Sequence, residues 1–542
     1  MNKTTFPLSR RTFLKTSLAA GAGAASLPLT SHAFMRPAAK YTRYNVMSPG
    51  GEKAIASYAR AIKIMLNLPP TNPQNWFRNA FIHIFDCPHG NWWFYVWHRG
   101  FLGYFEQTIR NLSQDSTFAI PYWDWTTQPE IPPIMFNDVL TPVHEAFEPY
   151  TKNLAVFTSF IQPALKSYWN SLSAAQRNQL NIRGYPDFDS MWNDINGYST
   201  SAKQGISGNM AYAITCGARY LSRDNPKFDA KTAYAVSPFI VNSGLYPTDF
   251  YNPDITLSFN SAKTPSHNSP PGQNSFSILE GYPHNKVHNY IGGVGPLDPG
   301  PYGNMTNFLS PVDPIFFLHH SNMDRLWDVW TRKQQSIGKP WLPGPQDMQV
   351  FAPEPFLFYV NSQGQYVGAS VAGDYLSMER WDYQYEPGYP DTLETISRAT
   401  NKSARPKIRG TVRANRATLA VPASAIQEHL ASPAAASLVA AITLPHPGPT
   451  SPTREFDVLV GAPPGVTSVD VDSPYYAGTI AFFGNMAHAH GMAEATFAVP
   501  LPKKAEAFKL GAAAIANVDI RIVPAHGRGR APALKAATIR AL

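Results

Sequence analysis

FIHIFDCPHGNWWFYVWHR, residues 81–99, carries three histidines, His83, His89 and His98. His89 and His98 stand nine apart, about two and a half helical turns, too far for both imidazoles to reach one ion from a straight helix. The stretch therefore predicts a helix carrying His83, a loop around His89 that folds back, and an aromatic-rich helix over 92–112 carrying His98. A second group lies further along. PHNKVHNY (283–290) holds His284 and His288, and DPIFFLHHSNMDRLW (313–327) holds the adjacent pair His319 and His320. The spacing of four puts His284 and His288 on one helix face. A helix over 314–332, opened by Asp313-Pro314, adds a third nitrogen from His320. Three imidazoles per group suffice to hold one ion each, and two ions side by side make a redox centre. Imidazole sets suit copper, zinc, iron or nickel rather than magnesium or calcium, and the lack of a carboxylate in either triplet favours copper or zinc. His32, His144, His267, His429, His446 and His526 have no such company. His488 and His490, in AHAHG, read as loop residues of the C-terminal part.

The 542 residues exceed one typical domain, so two or three are expected. A hydrophobic share of 44% against 15% charged fits a globular protein with a large core. The net charge is +8, but much of it sits at the two ends, and no lysine–arginine run alternates with aromatics, so nucleic acid is not a predicted partner. Ser9-Arg10-Arg11-Thr12-Phe13-Leu14-Lys15 is a twin-arginine pattern, followed by an alanine-rich apolar stretch and a small-x-small cleavage site at Ser31-His32-Ala33. Residues 1–33 therefore read as a signal peptide for twin-arginine export after folding, to the periplasm or beyond, with no stable membrane anchor. Two cysteines, Cys87 and Cys216, do not make a disulfide scaffold. A single disulfide remains open, in competition with a site role for Cys87.

Helical spacing marks 52–67, through Ile55, Ala59, Ile62 and Leu66. The stretch 128–273 reads as long loops with helical pieces such as 154–172. Residues 279–290 should form the helix with His284 and His288. Polar SRATNKSARPK (397–407) reads as a linker. Beyond it come IRGTVRA, EFDVLVGA, AGTIAFFG, EATFAVPL and NVDIRIVP, alternating runs at regular spacing that suggest an all-β sandwich over 408–542. The apolar 431–444 reads as a buried element. The expected fold class is a mainly α catalytic domain (34–396) plus this C-terminal β domain.

These residues resemble the type 3 copper proteins, specifically the tyrosinase and polyphenol oxidase family. His89-x8-His98-Arg99, then Leu102 and Glu106, is similar to its first copper motif, with Tyr95 departing from the usual apolar residue. Asp313-Pro314-x-Phe316-Phe317-x-x-His320-x-x-x-Asp324 is similar to the second, with PHNKVHNYIGG its upstream half. PYWDW (121–125) and WDYQYE (381–386) resemble further family segments. FDVLV and YYAGTIAFFG resemble the C-terminal shielding domain of long forms. The resemblance covers nearly the whole mature chain.

The resemblance implies two copper ions, one on His83, His89 and His98 and one on His284, His288 and His320, with His319 only preceding the ligand. Asp324 would orient a ligand imidazole. O2 would be co-substrate, small phenols the substrates, and a homo-oligomer is allowed. The implied reactions are ortho-hydroxylation of monophenols and oxidation of o-diphenols to o-quinones. Catechol or o-aminophenol oxidation without hydroxylation is the alternative, and a hemocyanin-like oxygen carrier the rival of another class. Glu280 and Asn285 fill the positions that hold a proton-accepting water in monophenol-active members. A helix-cap role for Glu280 is the plainer reading. Cys87-x-His89 resembles members with a cysteine–histidine thioether; a free thiol or a Cys216 disulfide are the alternatives. Phe482, Phe483 and Met486 are the candidates for a lid over the copper pocket that would keep the enzyme latent.

Overall fold

The computed structural model describes residues 39–542 except 197–209, 217–218, 270–273, 392–405, 433–434, 448–452, 485–493 and 528. The twin-arginine segment, most of the expected linker, and Met486, His488 and His490 lie outside the described residues. Residues 40–542 form one compact unit.

Short strand β1 (Tyr41–Arg43) precedes helix α1 (Pro49–Asn67). Ser48 caps α1 by accepting from Gly51 N–H, and a proline occupies its first turn. Helix α2 (Trp76–Asp86) carries His83, and Asn75 caps it through Phe77 and Arg78 N–H. The chain leaves α2 at Cys87-Pro88, and the loop over His89 leads into α3 (Phe94–Ser113), which carries His98. Residues 128–273 include α4 (Leu154–Ser171) and α5 (Ala174–Ile182), whose Ser173–Gln176 capping box satisfies its first turn. The expected helix at 279–290 divides in two. Glu280–His284 is one wide π turn, closed by Asn285 N–H on Glu280 O, and α6 (Asn285–Ile291) follows. Helix α7 (Ile315–Ser336) is buried on nearly every side over its first four turns. Helix α3 packs between α1 and α7. Phe105 of α3 stacks on Phe317 of α7 with centroids 3.6 Å apart, a pair worth about 0.5–1.5 kcal/mol beyond the area it buries.

Strand β3 (Tyr383–Tyr385) pairs parallel with β1, so the start and end of the helical half close on each other. The C-terminal strands are β4 (Ile408–Arg409), β5 (Thr411–Arg413), β6 (Arg416–Pro422), β7 (Leu438–Pro445), β8 (Glu455–Val460), β9 (Tyr476–Ala481), β10 (Glu494–Pro500), β11 (Ile515–Pro524) and β12 (Ala536–Ala541). With strand β2 (Asn274–Phe276), which comes from the helical part and adds parallel to β10, they form two five-stranded sheets, β2-β10-β7-β12-β4 and β5-β6-β11-β8-β9, that share one core. The apolar 431–444 region turns out to hold β7, the middle strand of its sheet, which explains its lack of a polar face.

β6 and β11 alternate buried and exposed residues, whereas β8 and β9 are buried at every position. The outer face of β8 and β9 is covered by the helical half. At Gly478 of β9, with φ +135°, an added Cβ would stand 2.3 Å from the Tyr282 ring of the π turn, so only glycine fits. Ion pairs run across the same contact. Lys286 of α6 reaches Glu455 of β8 at 2.6 Å with both side chains fully buried, and Lys231 reaches Asp457 at 2.6 Å.

Candidate dinuclear metal centre

The histidine segments bring seven imidazoles together, six of them on buried residues and one, His89, half-buried. The rings of His83, His89 and His98 form one triangle, with centroids 5.2, 5.7 and 5.5 Å apart. Those of His284, His288 and His320 form a second, at 4.5, 5.1 and 5.4 Å. The triangles face each other. His89 lies 5.3 Å from His284, and His98 stacks on His320 at 4.2 Å.

Hydrogen bonds to Nδ1 decide which nitrogen is free. His83 Nδ1 meets Phe308 O at 2.8 Å, His98 Nδ1 meets Phe94 O at 2.7 Å, and His288 Nδ1 meets Met305 O at 2.7 Å. Carbonyl oxygens only accept, so these Nδ1 atoms carry the proton and Nε2 keeps its lone pair. Asn285 spends its Nδ2 on Ala481 O, leaving Oδ1 to accept from His284 Nδ1, both at 2.9 Å. Nε2 of His83, His89, His98 and His284 is buried with no partner. His288 Nε2 and His320 Nε2 face each other at 3.2 Å, a separation two lone pairs keep only with a proton or cation between them. Burial pushes all six rings toward the neutral form, His98 and His284 down to about 3. Neutral imidazoles with inward lone pairs fit a pair of soft or borderline metal ions.

His319 sits in the second cluster too, where four histidines offer nitrogens within 4.8 Å of one another. The indole N–H of Trp125 donates to its Nδ1 at 3.2 Å. Indole only donates, so His319 keeps its proton on Nε2 and has no lone pair facing the centre. Trp125 belongs to the PYWDW segment, which carried no such role in the sequence reading.

The surrounding residues divide. Glu280 is fully buried and accepts from Gly90 N–H at 2.6 Å and from the Ser261 hydroxyl at 2.5 Å. Burial pushes its carboxyl up to about 8, against those two donors. Glu280 thus ties the π turn to the His89 loop. The hydrogen bonds of Asp324 go to no ligand imidazole. Its oxygens accept from Arg99 Nε at 2.7 Å, Arg43 Nη1 at 3.0 Å, Tyr385 OH at 2.6 Å and Tyr383 OH. It faces the β1–β3 closure, and the orienting is done by backbone carbonyls at His83, His98 and His288 and by the Asn285 side chain at His284. Cys87 is an unpaired, buried thiol with Sγ 3.5 Å from His89 Nδ1. Arg183, at the end of α5, donates to Cys87 O at 2.9 Å and to Sγ at 3.2 Å. The side chain of Cys216 is not among those described.

Of the three lid candidates, Phe483 enters the centre, with its ring 4.3 Å from that of His288, 5.0 Å from His89 and 5.4 Å from His284. Phe482 points the other way, into the β core against Phe497 at 5.1 Å. Both lie just past the end of β9, and packing sends them opposite ways, Phe483 against the His288 ring and Phe482 against Phe497. Met486 lies outside the described residues. Phe308 was not legible beforehand. It supplies the carbonyl for His83, and its ring stands 5.4 Å from His89 and 5.6 Å from Phe483, yet no motif surrounds it. His267 lies outside the centre, buried between Asp86 at 2.8 Å and Glu354 at 2.6 Å.

Residues 57–333 match the family described as the common central domain of tyrosinase, and residues 7–27 the twin-arginine translocation signal. The chain is similar to the chloroplastic polyphenol oxidase II of Ipomoea batatas, 23% identical over 61% of this chain and 47% of the relative. It is also similar to tyrosinase HcTyr1 of a Hahella species, 25% identical over 66% of each. The chain spans about half the length of the first curated relatives it matches. In fold it resembles a latent aurone synthase (polyphenol oxidase), with TM-score 0.54 and 16% identity over 97% of this chain and 93% of the other.

Proposed function

Because the chain belongs to the tyrosinase and polyphenol oxidase family of type 3 copper proteins, we propose that it is an exported phenol oxidase, held latent by its C-terminal β part. The observation that carries this reading is the pair of facing triangles of neutral imidazoles with unspent nitrogens. His83, His89 and His98 would hold one copper, and His284, His288 and His320 the other. When bound, the copper pair supplies dioxygen activation for ortho-hydroxylation of phenols and oxidation of o-diphenols to o-quinones. The protein's part is to hold six nitrogens in place, keep the pocket dry and move the phenol proton.

Glu280 and Asn285 are the proton-handling candidates, with a carboxyl raised toward neutrality by burial and an amide beside His284. Phe483, wedged among His89, His284 and His288, keeps substrate out while the β part is docked. The proposed parts are a catalytic domain over 34–396 and a shielding domain over 408–542, joined by 397–407. A Cys87–His89 thioether is part of the proposal, supported by the contact of Sγ with that ring. An intact mass two hydrogens low, unmoved by reductant, tests it.

Oxidation of catechols alone is the second reading. It is favoured by the bonds that already engage Asn285 and Glu280 within the protein. Copper analysis with tyrosine and catechol turnover, on the wild type and Phe483→Ala, decides. Two coppers and quinone from both substrates support the tyrosinase reading. Quinone from catechol alone supports the second. Reversible dioxygen binding without turnover would sink both.

A further inference from the structure

We propose that Arg183 anchors a carboxylate-binding subsite beside the metal centre, so that the preferred substrates are phenols bearing an acidic side group. This rests on the phenol-oxidase reading above. A cavity of about 40 Å³ borders His89 and is lined by Arg183, Asn268, Phe308, Phe482 and Phe483 among others. That space holds a few waters. Its lining contains no aspartate or glutamate.

Arg183 is 5% exposed. Its bonds are to Cys87 O, Cys87 Sγ and Asn268 Oδ1, none of them a carboxylate. The acids around it are engaged elsewhere, Asp86 by His267, Trp97 and Asn268, Glu354 by His267 and Ser266, and Asp194 by the Tyr185 hydroxyl. A guanidinium has five N–H donors, and three are spent here. Among the described residues Nε has no partner, and Nη2 retains one hydrogen. Cys87 accepts from both terminal nitrogens and so faces the end of the fork. The unspent donors belong to its side, the edge that grips a carboxylate with two parallel bonds. A buried cation without a carboxylate partner is costly, and an anionic ligand relieves the cost.

Phe483 lines this cavity and also touches the rings of His89, His284 and His288. Removing its ring joins the cavity to the centre. A phenol whose hydroxyl points at the metal pair would then lie along Phe308, with its acidic group toward Arg183.

The test uses full-length Phe483→Ala protein. Benzoate and benzamide, alike in shape but not in charge, are titrated calorimetrically into the copper-free variant, with and without Arg183→Gln. Benzoate binding is expected to weaken about tenfold in the double variant, with benzamide binding unchanged. In the copper-loaded proteins, kcat/KM for 3-(3,4-dihydroxyphenyl)propanoate should fall about tenfold while 4-methylcatechol keeps its value, and Arg183→Lys should restore part of the preference. Benzoate binding indifferent to Arg183 overturns the proposal. So does an equal loss for both probes, which marks a merely structural arginine. Acetate binding as tight as benzoate, with no preference for the acidic catechol, marks a site for free anions and overturns the substrate assignment. If no copper-loaded form oxidises any catechol, the phenol-oxidase reading fails, while the benzoate–benzamide contrast still judges the subsite.

Discussion

His319 and His320 are neighbours in the chain and opposites in chemistry. Trp125 leaves His319 with its proton on the nitrogen facing the centre, while His320 turns that nitrogen toward His288. His320→Gln should therefore lose one of two copper equivalents, and His319→Gln should keep both, by metal analysis of the purified proteins. Equal loss from the two variants would contradict the assignment. Asp324 offers a second contrast. Arg99 and Arg43 hold its carboxyl below the ordinary range, although burial opposes this. Asp324→Asn leaves two buried guanidiniums without their shared charge, so stability should drop by roughly 3–5 kcal/mol. Copper content per folded molecule should stay the same, since no imidazole depends on it. A thermal melt and metal analysis of the same sample separate the two effects.

At the scale of elements, the π turn and β9 are the parts that meet. The π turn places Glu280 toward the His89 loop, while α6 gives its next side chains to the β part. Asn285 bonds Ala481 O, Asn289 bonds Phe482 O, and Lys286 bonds Glu455. The helix that carries His288 is thus also the docking surface. Gly478→Ala puts a methyl into the Tyr282 ring at a left-handed backbone position. It should loosen β9 and raise catechol oxidation severalfold without adding any group to the pocket. Unchanged activity with an unchanged melting temperature would show that the contact yields freely. Helices α1, α3, α4 and α7 were legible within a few residues, because each is long and strongly apolar, and Ser48 and Asn153 cap α1 and α4. The divided 279–291 segment was not, since periodicity cannot distinguish a π turn from an α turn over five residues. Strand β7 was missed as a strand because both its faces are buried and alternation vanishes.

Across the whole molecule, the C-terminal β part is fastened to the helical part by buried charge. Burial alone would raise the Glu455 carboxyl, but Lys286 and His526 bring it down from 4.5 to about 2. A depressed carboxyl contributes stability that is fully present above its unfolded value and lost as pH falls toward the folded one. The window here is pH 4.5 to about 2. Counted once, from the acid side, the stake is about 3 kcal/mol. Docking should therefore weaken below about pH 4.5. Protein held briefly at pH 3 and assayed at once at pH 7 should show raised catechol oxidation, and Glu455→Gln should show that rise without the acid step. Latency indifferent to both treatments would place the fastening elsewhere.

Sequence alone determined the kind of centre and the two-part architecture. Histidine spacing, the Asp313-Pro314 helix start and alternating runs beyond 408 are local patterns, and local patterns are set by backbone geometry that any reader of the chain shares. It also named Phe482, Phe483 and Met486 together as lid candidates. Only the tertiary structure separates Phe483, against the His288 ring, from Phe482, against Phe497, because that depends on how the chain leaving β9 meets the helical part. The same holds for the tautomer of His319, the partners of Asp324 and the unpaired edge of Arg183. Each is a question of which group lies within about 3 Å, and that distance is bridged by residues tens to hundreds of positions apart. Hydrogen bonds of this kind leave no periodic trace in the chain, so their consequences appear only when the chain has folded.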